Sequence, residues 1–145
     1  MQRIRQSMTG TSPAAASTAA GTSYALGLDA CDSLTIVGSL LGATGGTLDV
    51  YVQTSWDEGT TWYDYLHFTQ LASGAAAVNY AYHVSRASER TTITTLGSAT
   101  TPALTAGLIM AGGWGNMMRL VFVAGVGTAA GAAQTVRVYG IKNLH

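Results

Sequence analysis

The feature of this sequence that most constrains its fold is a succession of short, β-branched or apolar segments separated by glycine-rich turns. The clearest is Thr47–Ser55 (TLDVYVQTS), in which three aliphatic side chains alternate with Asp49, Tyr51 and Gln53. Side chains on a strand point to opposite faces in turn, so a period of two indicates a strand with one buried face. The segment is therefore predicted to be a half-buried β-strand.

Similar segments recur along the whole chain, and 18 of the 145 residues are glycine. No long amphipathic helical pattern interrupts them. Regular short strands between turn residues are typical of all-β sandwiches and barrels, and we expect an antiparallel β-sandwich, with the jelly roll as one arrangement that fits. The predicted strands are Tyr24–Leu28, Ser33–Leu41, Thr47–Ser55, Trp62–Leu71, Ala75–Arg86, Thr91–Leu96, Leu104–Met110, Met117–Val126 and Gln134–Asn143.

Residues 1–22 differ in composition from the rest of the chain. They are rich in Thr, Ser, Gly and Ala and contain Pro13, which favours an extended conformation over a helix. We therefore predict a flexible N-terminal arm over 1–22 that orders against a neighbouring subunit, and a β-sandwich domain over 23–145. The basic residues Arg3 and Arg5 are not followed by an apolar stretch, so a secretion signal is not expected.

The charge content is unusually low. Asp, Glu, Lys and Arg make up 10% of the residues and the formal net charge is zero, whereas ordinary soluble domains have about 25% charged residues. A protein with few charges and no net charge has little electrostatic repulsion between copies. This favours a chain that is docked against other subunits. The alternative is a charge-poor enzyme domain whose Thr, Ser and Gly residues solvate the surface.

Several classes of partner and site are not expected. Apart from Arg3 and Arg5 the arginines are scattered, so the clustered basic surface of a nucleic-acid-binding protein is missing. No apolar run reaches the roughly 18 residues of a membrane span. Cys31 is the single cysteine, which excludes an intrachain disulfide and a thiolate zinc cluster. Its neighbours Asp29 and Asp32 are predicted to raise the pKa of its thiol.

Candidate catalytic groups are sparse, and neither an enzyme nor a cofactor is expected. His67 and His83 lack metal-ligand spacing and are predicted to be surface or inter-subunit side chains. The chain contains no nucleophile elbow and no P-loop. The glycine-rich stretch at Trp114 is predicted to be a wide turn with an exposed Trp, which is either a partner anchor or packed on its own turn. A glycosidase that uses Asp57 or Asp64 is the remaining enzymatic alternative.

One local motif is well defined. Residues 55–62 (SWDEGTTW) match the pattern S-x-D-x-G-x-T-W at every fixed position. An Asp at the third position can accept backbone amide hydrogen bonds, and the Gly provides a positive φ, so the motif predicts a structural turn between two antiparallel strands. It resembles the Asp-boxes of sialidases and related β-propellers, where it is a turn distant from the active site. A single copy does not make a propeller, and sialidase activity is not expected. The turn residues are Ser55, Asp57, Gly59, Thr61 and Trp62.

A second resemblance covers more of the chain. The segment Thr47–Arg86, which contains LDVYVQTSWDEGTTWYDYLHF and AAVNYAYHVSR, resembles small virion proteins of tailed bacteriophages, of the head-decoration (cement) type or of the neck and tail. This resemblance implies a β-sandwich or jelly roll on the capsid surface that assembles as a homo-oligomer, a dimer or trimer, and lacks catalysis.

We therefore interpret the chain as a virion structural protein, made in the host cytoplasm, that stabilises the head by binding several major capsid subunits. The predicted contacts are Arg3, Arg5, Trp56 and Trp114, together with the N-terminal arm. The alternative is a phage neck or tail component, or a carbohydrate-binding β-sandwich on the virion. The aromatic residues that would stack on a sugar are Tyr51, Tyr63, Tyr65, Tyr80 and Tyr82.

Overall fold

The computed structural model describes residues 1–13, 17–41, 46–72, 77–86, 104–107, 109, 113–125 and 133–142. Within these ranges the regular structure is almost entirely β. A short 3-10 helix at Leu28–Ala30 links the second and third strands. The strands are β1 (Gln2–Thr11), β2 (Ser17–Leu26), β3 (Ser33–Leu40), β4 (Leu48–Ser55), β5 (Tyr63–His67), β6 (Val78–Ser85), β7 (Met117–Ala124) and β8 (Ala133–Lys142).

The strands form two four-stranded antiparallel sheets. Sheet 1 has the order β1-β8-β3-β6 and sheet 2 has the order β2-β7-β4-β5. The pairings are nested, since β1 pairs with β8, β2 with β7, β3 with β6 and β4 with β5. This nesting of eight strands over two sheets is the topology of a jelly roll. The predicted all-β, antiparallel β-sandwich is therefore confirmed.

The core lies between the two sheets and is built from alternate residues of each strand. In β3 the inward positions Leu34, Ile36, Gly38 and Leu40 are buried, whereas the alternate, outward positions are half-buried. Glycine is found where a strand must make room for a large ring: a Cβ atom on Gly38 would lie 2.8 Å from the ring of Phe68. The sandwich is therefore tightly packed around its aromatic residues.

The predicted N-terminal arm is not observed, because residues 2–11 and 17–26 are strands of the sandwich itself. All ten residues of β1 are in register with β8, from Gln2 opposite Lys142 to Thr11 opposite Ala133. The side chain of Gln6 also joins the two sheets, as its amide oxygen accepts a hydrogen bond from the backbone N–H of Leu26 at 2.7 Å. Backbone pairing of β1 with β8 thus makes residues 2–11 a strand, although their composition favours a flexible arm.

Other strand predictions differ in detail. β4 is not half-buried, because Tyr51 and Gln53 on its outer face are buried as well as its inner face. The predicted strand Leu104–Met110 is not a strand where it is described: residues 106 and 107 form a turn, and Ile109 makes an isolated bridge with Leu66. The predicted strand Thr91–Leu96 lies outside the described residues.

Candidate functional site

The outer face of sheet 1 is exposed and carries three arginines, and we call it the basic face. Arg3 and Arg5 project from β1, and Arg137 from the neighbouring β8. Register places Arg5, Tyr139, Thr35 and His83 in one row across all four strands. None of the described residues on this face is acidic. The described residues on this face are Arg3, Arg5, Ser7, Thr9, Thr11, Ser33, Thr35, Val37, Ser39, Asn79, Ala81, His83, Ser85, Thr135, Arg137, Tyr139 and Ile141.

A groove of about 440 Å³ lies at one end of the basic face. The guanidinium carbon of Arg5 lies 5.8 Å from the ring centroid of Tyr139, within the range of a cation–π contact. The groove thus combines cationic groups with an aromatic ring and the aliphatic side chain of Ile141. Its lining residues are Arg3, Ile4, Arg5, Thr35, Tyr139, Gly140 and Ile141.

The turn between β4 and β5 is held by side-chain hydrogen bonds. The Asp57 carboxylate accepts hydrogen bonds from the backbone N–H of Thr61 at 2.7 Å and from the Ser55 hydroxyl at 2.8 Å. The Ser55 oxygen in turn accepts one from the N–H of Gly59 at 2.9 Å. Gly59 has a φ of 88°, which glycine adopts without steric strain. Asp57 is therefore engaged in the turn, as expected of a structural motif.

The two Trp residues of this hairpin have different environments. Trp62 is 7% exposed, donates its indole N–H to the Gly59 carbonyl at 2.8 Å and stacks on Tyr24. Trp56 is 48% exposed. With the exposed Asp57 and Glu58 it forms what we call the hairpin tip. The tip therefore presents an indole ring next to two carboxylates.

We expect the fold to lose stability in acid because of the hydrogen bonds that Asp57 accepts in this hairpin. The hydrogen bonds from Thr61 and Ser55 lower the pKa of Asp57 from 3.8 to about 2. Since the folded-state pKa lies below the unfolded value, the ionised form stabilises the fold above pH 3.8, and this contribution disappears as the pH falls towards 2.

We expect Asp57→Asn to be less stable than the wild type at pH 6, and the difference to shrink at pH 2.5. Urea unfolding of both proteins at the two pH values measures it. An equal difference at both values would contradict the role of the ionised carboxylate.

Trp114 is buried rather than exposed, which corrects its assignment as a partner contact. It is 1% exposed and donates its indole N–H to the Leu28 carbonyl at 2.7 Å. The guanidinium of Arg86 lies over its ring, 4.4 Å from the centroid, and donates a hydrogen bond to the Trp114 carbonyl at 3.0 Å. Trp114 is thus part of the hydrophobic core. Of the predicted contacts, Arg3, Arg5 and Trp56 lie on the surface.

A buried polar cluster on the outer side of sheet 2 was not predicted from the sequence. His67, predicted to be a surface residue, is 4% exposed. Its Nε2 lies 2.9 Å from the Asp49 carboxylate, its Nδ1 lies 2.6 Å from the Leu104 carbonyl, and its ring stacks on Tyr51 at 3.9 Å. Burial, followed by the charges of Asp49 and Asp64, raises the pKa of Tyr51 to about 12. Both imidazole nitrogens are therefore engaged within the fold.

Asp64 belongs to the same layer and is 1% exposed. It accepts hydrogen bonds from the Gln53 side chain at 2.9 Å and from the backbone N–H of Leu104 at 3.2 Å. Gln53 in turn accepts two hydrogen bonds from Arg119, at 3.0 and 3.2 Å. These contacts hold Leu104 against the outer side of sheet 2, and the sequence could not reveal them because Leu104 is distant along the chain.

The five tyrosines of the predicted sugar platform do not share a surface. Tyr65 is buried, and Tyr80 and Tyr82 pack on Phe68 between the sheets. Tyr51 stacks on His67, whereas Tyr63 lies beside Trp56. The structure therefore corrects the prediction of a stacking platform.

Cys31 is buried in the core. Burial raises the pKa of its thiol; Asp32 and Asp29 act in the same direction, while Arg86 opposes them. The predicted direction of the shift is confirmed, although burial contributes more than the two carboxylates. Within the described ranges, no three His, Cys, Asp or Glu residues are grouped so as to hold a metal ion. The described residues also contain no helix that is long and apolar enough to cross a membrane.

Comparison with known proteins identifies no family. No family model matches the chain, and no curated protein matches it significantly. A solved structure from work titled "Bacillus endospore appendages form a novel family of disulfide-linked pili" is similar over 97% of this chain and 89% of that chain, with 10% identity and a TM-score of 0.44. A similarity at this level has no bearing on what the chain does.

Proposed function

We propose that this protein is a non-enzymatic structural subunit of a bacteriophage virion, a capsid decoration protein that binds several major capsid subunits. In this proposal it occupies the capsid surface and acts as a homo-oligomer. The observation that carries the proposal is the basic face, an exposed four-stranded surface on which Arg3, Arg5 and Arg137 lie without any acidic residue among those described. Such a face complements an acidic protein surface.

Three further features support an assembly role. The low charge content suits a chain that is covered by neighbours. The jelly roll is shared by viral capsid proteins, lectin domains and cupins, which is support by analogy of fold. The titratable side chains of the buried cluster, His67 and Asp64 among them, are engaged within the fold. The separation of the tyrosines removes the observation on which carbohydrate binding rested.

A binding experiment tests the proposal. Purified protein is mixed with undecorated heads assembled from the major capsid protein of the same phage, and the bound fraction is measured after sedimentation. We expect saturable binding, which Arg137→Glu on the basic face weakens about tenfold. Lys142→Glu is the matched control, because it makes the same charge change on β8 but at a position of the opposite face. It should change binding less than about twofold.

Failure of the wild-type protein to bind heads would refute the decoration role. An equal loss of binding in both variants would refute the assignment of the basic face. Electron microscopy of the intact virion tests the alternative, because a neck or tail component would be seen at the neck or tail and not on the head.

A further inference from the structure

Two exposed surfaces of this chain carry charges of opposite sign. Arg3, Arg5 and Arg137 lie on the basic face of sheet 1. Asp57 and Glu58 lie at the exposed hairpin tip, which belongs to sheet 2. Since the formal net charge is zero, attraction between two copies depends on these complementary surfaces rather than on overall charge.

The hairpin tip has the properties of a preformed binding element. Trp56 is 48% exposed although it is a large apolar side chain, and the carboxylates of Asp57 and Glu58 follow it directly. The turn beneath is fixed by the hydrogen bonds of Ser55 and Asp57. A tip that is already ordered loses little conformational entropy on binding.

The groove of the basic face has properties that complement those of the hairpin tip. Its volume of about 440 Å³ lies within the range of pockets that enclose a small ligand, about 300–1,000 Å³, and accommodates an indole ring. Tyr139 and Ile141 provide apolar contact surface, and Arg3 and Arg5 provide cationic groups beside it. Trp and Arg are the residues that contribute most to binding at protein interfaces.

We propose that the groove is occupied by the hairpin tip of a second copy of this chain, with Trp56 packed against Tyr139 and Ile141 and Glu58 facing Arg3 and Arg5. The partner is a second copy because the chain itself carries both halves of the contact, an aromatic acidic tip and an apolar basic groove. This inference rests on the proposed assembly role and deepens it by naming one interface of the homo-oligomer.

Sedimentation velocity of the purified full chain tests the contact. We expect the wild type to self-associate reversibly at concentrations up to about 1 mM. Arg5→Glu and Glu58→Lys should each weaken association at least about tenfold, because like charges then face each other. Trp56→Ala should weaken it by a similar factor without changing the net charge.

The double variant Arg5→Glu/Glu58→Lys should associate as the wild type does, because it reverses both sides of the contact and keeps the net charge. Arg137→Glu/Glu58→Lys is its matched control: it has the same net charge but leaves the introduced lysine of the tip facing Arg5, and it should remain dissociated. Thermal unfolding of each variant checks that the fold is intact.

A wild type that is monomeric at about 1 mM, or a double variant that fails to recover association, would overturn the contact. The single variant Arg137→Glu separates the test of the contact from the test of the proposed function, since it should weaken head binding about tenfold and leave self-association unchanged. Head binding by a chain that never self-associates would refute the contact and leave the decoration role in place.

Discussion

Replacing Trp114 with alanine lowers the free energy of unfolding by about 3–5 kcal/mol. Three interactions are lost together: the packing of a 1% exposed indole, its hydrogen bond to the Leu28 carbonyl at 2.7 Å, and its contact with the Arg86 guanidinium. The ring also packs edge-on against Tyr65, with centroids 6.5 Å apart. A domain of this size has a total stability of about 5–15 kcal/mol, so the variant is close to unfolding.

Urea unfolding followed by circular dichroism measures this effect. Trp56→Ala is the matched control, because it removes the same side chain from a 48% exposed position and should change the stability by about 0.5 kcal/mol or less. Trp114→Phe should fall between the two, since it keeps a ring but loses the indole N–H. Equal stabilities of the two alanine variants would show that Trp114 does not anchor the core.

Replacing Gly115 with alanine is expected to destabilise the fold by about 3 kcal/mol or more. A Cβ atom at this position would lie 1.9 Å from the backbone carbonyl oxygen of Ser55 and 2.8 Å from the backbone nitrogen of Trp56. Backbone atoms cannot rotate away as a side chain can, so β4 and the segment before β7 must separate. The N–H of Gly115 also donates to the Thr54 hydroxyl at 2.9 Å, and this bond would be strained.

Gly21→Ala is the control for this prediction. A Cβ atom there makes only ordinary contacts, the nearest at 3.5 Å, so its effect should stay within about 0.5 kcal/mol. The unfolding midpoint and slope in urea distinguish the two variants. A Gly115→Ala variant as stable as Gly21→Ala would mean that the approach of the two segments is looser than the structure shows.

The sequence was sufficient to predict a strand or turn where the residues that specify it lie close together in the chain. Alternation in Thr47–Ser55 and the turn chemistry of residues 55–62 predicted the antiparallel pairing of β4 with β5, which is present. The β-branched segment Ser33–Leu41 coincides with β3, apart from its last residue. A hairpin forms between neighbours in sequence, so its residues contain most of the information that specifies it.

The candidate site was accessible to sequence reasoning only in part. Arg3, Arg5 and Trp56 were identified as residue types suited to partner contacts, and they lie at the surface. Arg137 and Tyr139 were not, because only the register of β1 with β8 places them beside Arg5. The environment of Trp114 depends on Leu28 and Arg86, which are far from it in the chain.

The amino-acid sequence alone determined that the chain is an all-β protein, because strand periodicity and turn residues act over a few positions. Only the tertiary structure decided that residues 2–11 and 17–26 belong to the two sheets, that Trp114 and His67 are buried, and that three arginines share one face. The physical reason is that β1 forms its ladder with β8, at the other end of the chain. Backbone hydrogen bonds stabilise such a pair whatever side chains the strands carry, so the local composition gives no sign of the pairing.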